Sequence, residues 1–241
     1  MSVDLSAAHL LVATPAYAGV SPNYLLSTHR LRSKLNAVGL RGQFVTAPGM
    51  PVDAARDQIG NGFLQSQKQS TPFTHLLMVD SDIGFEPDVV MRMIARDVDF
   101  AAAVPPLRRF DFASAEKARA KLGDGRTVEQ LAAQFAVKLL DGKLSVDNQG
   151  FARVDQVGGA FLLLRPRVFE TIRDTYPDLN HREGTGFFLP AVIDGQRLGE
   201  DIAFCRRWRK TGGDISLLVD APFTHDGPFT FKGNYRDLTT L

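Results

Sequence analysis

The chain has one cysteine, Cys205, in 241 residues. No intramolecular disulfide can form, which removes the framework of small secreted scaffolds and fits a reducing compartment. A long hydrophobic run is also missing. Stretches such as 160–164 have strand length, far short of the ~20 apolar residues that cross a bilayer. The first six residues lack the basic start and apolar stretch of a signal peptide. Neither sign of charge dominates: 28 Lys and Arg face 27 Asp and Glu, a formal net charge of +1. That balance argues against coating of nucleic acid through bulk electrostatics and leaves room for a local basic site. No internal repeat or low-complexity linker interrupts the chain. What remains is a soluble, cytoplasmic globular protein without a membrane span, long enough for one sizeable core.

What is present is an alternation of strands and helices. Residues 9–14 form a short apolar run stopped by Pro15, as in a first buried strand. Ser21-Pro22 can cap and start a helix, with Leu25, Thr28, Leu31, Leu35 and Val38 at helical spacing and Gly39 at its end. A second strand is expected over 43–46. A helix follows over 51–67 with Val52, Ala55, Ile59 and Phe63 on one face, weakened by Gly60 and Gly62. Residues 75–79 read as the next strand, Pro87 opens another helix, and 98–104 form a strand closed by Pro105-Pro106. This order predicts an α/β fold, a mostly parallel central sheet with helices on both faces. The rest is less regular. Residues 108–124 read as a charged helical insertion, Thr127-Val128-Glu129-Gln130 as a capping box, and Asp141-Gly142 as a hairpin turn between 137–140 and 143–146. One or two strands surround Gly158-Gly159, giving a small antiparallel portion. Arg165-Pro166 opens a helix to about Thr175, and 176–198 is a long polar loop suited to substrate binding. A helix over 200–210, a strand over 215–219 and a tail from Thr224 complete a single domain, 1–241. It divides into two halves, 1–105 and 106–241.

Three constellations carry chemistry. Asp80-Ser81-Asp82 follows the apolar run 75–79, where ligands of open α/β sheets bind. If the strand geometry persists, both carboxylates face one small volume that suits a hard divalent cation and phosphate oxygens. A solvated turn explains the same triplet. Gly199-Glu200-Asp201 opens a helix. Its acids either complement the helix dipole or supply a general base, Asp201 or Glu200. Third comes Thr224-His225-Asp226-Gly227. A neutral imidazole at His225 can complete a site begun by carboxylates, and it favours manganese over magnesium modestly. Lys232 and Asn234 follow, within reach of phosphate oxygens.

The ordered set of residues 76–85 around Asp80-Ser81-Asp82, Gly199-Glu200-Asp201 with Phe204-Cys205-Arg206, and His225-Asp226-Gly227 resembles GT-A-fold glycosyltransferases. The likeness is nearest to the family 2-like group found in bacterial and bacteriophage genomes. It runs from Leu10 to about Tyr235 and is weakest over 108–153. What it implies is a metal-dependent transfer of sugar from a nucleoside-diphosphate sugar, UDP-linked or similar, with Mn2+ or Mg2+ as cofactor. Asp82 and His225 would hold the metal, with Asp80 contacting the donor ribose or the metal through water. Thr14, Pro15, Tyr17 and Arg56 would contact the nucleotide, with Ser81, Lys232 and Asn234 beside the phosphates. Asp201 would be the base of an inverting enzyme, with 1–105 as the nucleotide-sugar-binding half and 106–241 as the half for acceptor and catalysis. Gly158, Gly159, Arg108 and Trp208 are the acceptor-side candidates, although the spacing of Trp208 and Cys205 also assigns both to the core. The acceptor is either a modified DNA base, guided by Arg108-Arg109 and Arg206-Arg207-Arg209-Lys210, or a surface or lipid-linked glycan. A nucleotidyltransferase and a non-catalytic nucleotide-sugar-binding protein are the alternatives. The first lacks support from an early Gly-rich phosphate loop.

Overall fold

The structure is a computed structural model that describes residues 8–122, 125–193, 195–228 and 230–238. Strand β1 (His9–Ala16) runs through Pro15 and leads to helix α1 (Pro22–Ala37). Ser21 caps that helix, its hydroxyl accepting from the Tyr24 amide, with Pro22 at the first helical position. Then come β2 (Arg41–Pro48), α2 (Val52–Ser66), β3 (His75–Val79), β4 (Ile83–Phe85), α3 (Pro87–Ala95) and β5 (Phe100–Ala103). Helix α2 continues through Gly60. A Cβ there would lie 2.8 Å from the Phe169 ring, so the glycine marks close packing rather than a break.

Pro106 does not close the strand pattern as the sequence predicts. It begins β6 (Pro106–Phe110), which pairs with β7 (Ala133–Phe135) across α4 (Phe112–Leu122) and α5 (Val128–Ala132). Helix α5 starts within the anticipated capping box, but the side chains of Glu129 and Gln130 lie outside the described residues. Strand β8 (Val137–Leu139) ends at the Asp141-Gly142 turn, where both residues take positive φ, 50° and 66°. The hairpin partner is not 143–146. It is β9 (Phe151–Val157), because only the Val146–Ala152 bridge forms in between.

Strand β10 (Phe161–Leu164) and α6 (Pro166–Thr175) follow Gly158-Gly159. The long loop contains two small hairpins, β11 (Asn180–His181) with β12 (Gly184–Thr185), and β13 (Ala191–Ile193) with β14 (Gln196–Leu198). Helix α7 (Glu200–Lys210) and β15 (Ile215–Leu218) match the sequence pattern. The expected tail is instead β16 (Pro222–His225) and β17 (Phe231–Asn234). Strand β16 pairs with both β17 and β4, which sets His225 opposite Ile83.

The main sheet has the order β2-β1-β3-β10-β5-β15-β9-β8. Strands β1, β2, β3, β5, β8 and β15 run one way, and β9 and β10 the other. Both faces are buried. Leu11, Ala13, Leu76 and Met78 pack with Phe63, Phe169, Phe204 and Trp208 under α2, α6 and α7. The alternate residues Leu10, Val12, Leu77 and Val79 pack with Tyr24, Leu31, Val90 and Met93 under α1 and α3. Side chains that alternate between two apolar layers explain why these strands read as unbroken apolar runs.

Candidate functional site

Strand β3 stops at Val79, and Asp80-Ser81-Asp82 is a turn closed by the Ile83 amide donating to the Asp80 carbonyl at 3.3 Å. The anticipated shared face of the two aspartates therefore does not form, because alternation ends where the extended backbone ends. Their carboxylates part.

Asp80 turns to Arg56. One guanidinium nitrogen, Nη2, donates to both Asp80 oxygens at 2.9 and 3.2 Å. The other, Nη1, donates to Glu200 Oε1 at 2.8 Å. The Arg56 side chain is only 3% exposed, against 28% for Asp80 and 24% for Glu200. Burial alone would lower its pKa. Asp80, Glu200 and Asp201 outweigh burial and raise it, so the guanidinium is firmly charged. Gly159 makes room for it: a Cβ there would fall 2.6 Å from Nη1.

Asp201 sits in the first turn of α7. Its Oδ1 accepts from the Ile202 amide at 2.7 Å and its Oδ2 from the Gly159 amide at 3.2 Å. A cavity of about 260 Å³ opens beyond the ends of β3 and β5, and Arg56, Asp80, Gly158, Glu200, Asp201 and His225 are among its lining residues. The sequence candidates from five separate stretches thus meet around one volume.

On the other side of the turn, Asp82 Oδ2 lies 3.3 Å from His225 Nε2 and 3.3 Å from Arg108 Nη1. The Nδ1 atom of His225 is 2.7 Å from the Pro106 carbonyl and donates to it, which leaves Nε2 aimed at Asp82. Burial works against a charged imidazole. Asp82 and the Pro106 carbonyl outweigh it and raise the His225 pKa. Among the described residues no group of three or more His, Cys, Asp or Glu could hold a metal ion. A carboxylate oxygen and an imidazole nitrogen at 3.3 Å still fit two ligands of one cation completed by phosphate oxygens and water, and Arg108 is the counter-charge that a cation would replace at Asp82.

Other candidates fall elsewhere. The Thr14 hydroxyl is buried and bonded to the Tyr24 hydroxyl at 2.7 Å, so it holds α1 on β1. Pro15 is buried in β1, and Tyr17 stands 74% exposed just beyond it. The Ser81 carbonyl accepts from the Ser21 amide. Lys232 and Asn234 line a different cavity, of about 590 Å³, formed with α1. Asn234 is occupied there: its Nδ2 donates to Asp220, and its Oδ1 accepts from the Ala221 and Arg236 amides. Trp208 is buried, its indole N–H donating to the Asp214 carbonyl, so it belongs to the core and not to the cavity. Cys205 is likewise a core residue, its thiol pKa pushed up to about 12 by burial. Of the basic cluster on α7, Arg207 donates to the Phe187 and Leu189 carbonyls and Arg209 to Gly213 and Asp214.

Two contributors had no sequence signal. The Pro106 carbonyl orients His225 through the backbone. Asp57 receives the Phe188 amide at 2.7 Å and ties the long loop to α2, beneath the Arg56 guanidinium. The apolar pattern of α2 did mark its inner face, but not which acid would bond to a distant backbone.

No family model and no curated protein matches the chain. Solved structures do resemble it. The catalytic domain of Drosophila β1,4-galactosyltransferase 7 with xylobiose is 14% identical over 87% of this chain and 65% of that one, with a TM-score of 0.42. The chain thus spans less than two thirds of that protein's length. A mutant of the same enzyme is solved with manganese, UDP-Gal and xylobiose. The inositol-1-phosphate CTP transferase of T. maritima is 12% identical over 92% of this chain and 91% of that one, at 0.43. A glycosyltransferase involved in glycosylation of the major capsid of PBCV-1 is 8% identical over 72% and 68%, at 0.33. The structural neighbours therefore include glycosyltransferases and a CTP transferase; at these scores the likeness is one of shape and assigns no activity.

Proposed function

We propose that the chain transfers a sugar from a nucleoside-diphosphate sugar to an acceptor hydroxyl. The observation that supports this most is the cavity where Asp201 stands beside the Asp80–Arg56–Glu200 cluster, with His225 on its wall and Asp82 next to that imidazole. The cavity's size suits a single sugar unit, and its carboxylates suit hydroxyl groups. Asp82 Oδ2 and His225 Nε2 would hold Mn2+ or Mg2+. A cation bound there supplies charge to offset what builds on the departing diphosphate.

The remaining steps use the chain's own groups. Asp201, a lining residue of the cavity, takes the proton of the acceptor hydroxyl. The acceptor oxygen bonds to the anomeric carbon as the bond from that carbon to the diphosphate oxygen breaks. The electron pair leaves with the diphosphate, whose oxygens lie toward the Arg108 guanidinium and solvent. The two amides that bind Asp201 fix its direction. Glu200 is paired to Arg56 and is the poorer base.

A neutral glycan hydroxyl is the acceptor this arrangement favours over a DNA base. Three carboxylates face one guanidinium at the cavity, and two of the arginines expected to guide a polyanion, Arg207 and Arg209, are bonded internally.

A thermal-shift panel of nucleotide sugars with and without Mn2+ tests the reading. Binding at 100 times Kd stabilises by about 2.7 kcal/mol, a shift of several degrees. A rise in Tm that needs both Mn2+ and the nucleotide sugar, and that is lost in Asp82→Ala, is expected. Equal shifts without Mn2+ contradict the cation assignment. Pyrophosphate release from a nucleoside triphosphate and a sugar phosphate would instead identify a nucleotidyltransferase.

A further inference from the structure

We infer that Arg56 is a positioning residue, a buried strut that fixes Asp80 and Glu200 and so holds Asp80 away from the Asp82–His225 pair. This inference rests on the reading of Asp82 and His225 as a cation site. It differs from a nucleotide-binding role for Arg56, which the sequence resemblance implies.

The geometry is specific. Nη2 bonds both oxygens of Asp80, and Nη1 bonds Glu200. These contacts join α2, the turn after β3 and the first turn of α7 at one point. The side chain is 3% exposed, and its Nε is buried with no hydrogen-bond partner. A group that reaches out to a phosphate is seldom so enclosed. The Phe188 ring lies 5.9 Å from the guanidinium carbon. On another side, the missing Cβ of Gly159 provides the space the guanidinium occupies.

The arrangement has two chemical consequences. Asp80 and Asp82 are only two residues apart, and without the strut their carboxylates could converge on one cation. With it, Asp80 has its counter-charge inside the protein, and Asp82 faces His225 without it. Glu200 is similarly satisfied, so Asp201, held by backbone amides alone, is the carboxylate free to serve the cavity.

The test uses the protein without nucleotide, read out by Tm and by calorimetric titration with Mn2+ alone. Arg56→Gln removes the shared counter-charge and is expected to lower Tm by about 8 °C. Neutralising the partners as well, in Arg56→Gln/Asp80→Asn/Glu200→Gln, is expected to recover most of that loss, since no uncompensated charge remains. A purely structural arginine would give no change at the cation site. Here Arg56→Gln releases Asp80 toward Asp82 and removes a nearby positive charge, so Mn2+ affinity should rise on the order of tenfold. Adding Asp80→Asn should return it to the wild-type value. If Arg56→Gln does not fold, Arg56→Lys serves instead. One ammonium cannot hold both carboxylates in the forked geometry, so the same changes are expected at smaller size. An unchanged Mn2+ affinity in the single variant overturns the inference. So does a triple variant that stays as unstable as the single. Absence of Mn2+ binding in the wild type and every variant removes the cation reading itself, and with it the claim that Asp80 is held off a cation; the Tm comparison then decides the strut alone.

Discussion

The two sides of the Asp80-Ser81-Asp82 turn use the same residue types in opposite ways. On the Arg56 side, a buried guanidinium is short-bonded to two partly exposed carboxylates, at 2.8 to 3.2 Å. On the Asp82 side, contacts are at 3.3 Å, and Arg108 is half exposed, with 51% of its side chain in solvent. Close, enclosed pairs fix geometry, and looser pairs open to solvent leave room for exchange with a ligand. Within three residues the chain therefore separates a structural carboxylate from one that is available. Motif matching treats both aspartates alike.

The contrast can be broken at the reacting group first. Asp201→Asn keeps the shape and loses the base, so sugar transfer should fall by about 10³-fold. Donor-dependent thermal shifts should persist; if turnover survives within tenfold, Asp201 is not the base. The next largest effect is on the enclosed side. Gly159→Ala puts a methyl group where the guanidinium sits, which should cost about 2 kcal/mol by denaturant unfolding. A neutral result would mean that Arg56 can move and that the enclosed side is softer than its contacts imply.

Acid titration adds a second contrast, because Asp57 on α2, partly buried, and His75 at the start of β3, buried, are shifted in opposite senses. Burial raises Asp57 from 3.8 to about 6, offset in part by the Phe188 amide, and Arg207, His181 and Asp53 also act on it. Burial, then Arg165, lowers His75 from 6.5 to about 4. The folded state holds more protons than the unfolded one at Asp57 between pH 4 and 6, so this group makes stability fall as pH rises there. At His75 the folded state holds fewer protons between pH 4 and 6.5, so this group makes stability rise with pH. Asp57→Asn should leave the His75 slope exposed, steepening the rise by about 1 kcal/mol across that window after discounting partial solvent exposure. Urea midpoints at pH 4, 5 and 6 measure it. The smallest effect belongs to the open side. Arg108→Ala should change stability by less than about 0.5 kcal/mol, while calorimetry should show Mn2+ binding slightly tighter. A large loss of stability there would erase the distinction between the two sides.

Much of this arrangement was legible in the sequence where local rules decide it. Ser21-Pro22, Arg165-Pro166 and Gly199-Glu200 mark helix starts at the observed positions, because caps and prolines act within one turn. Apart from β4, the elements from 9 to 104 alternate strand and helix as the pattern predicts. Elements that depend on distant partners were not legible. The residues from Thr224 onward look like a tail until β4 supplies an edge, and 143–146 look like a strand although β8 pairs with β9. At the site, the sequence indicates Asp80, Asp82, Asp201, Glu200, Arg56 and His225 as candidates. It does not indicate that a turn would divide the aspartates, or that Arg56 would join Asp80 to a Glu200 that lies 144 residues from the arginine. Both facts arise from side-chain direction at the end of a strand, which spacing alone leaves open.

Strand β10 lies between β3 and β5, although about 60 residues of chain separate it from β5 in sequence. The central ladder therefore has a gap until residue 161 emerges from the ribosome. A nascent chain of the first 105 residues would present β3 and β5 with unpaired inner edges, the state most open to wrong partners. Synthesis order thus favours late closure: the sheet's centre is completed by an element made after its flanks. Hydrogen exchange on a fragment of residues 1–105 should find the amides of β5 unprotected, while in the full chain the same amides should be among the slowest to exchange.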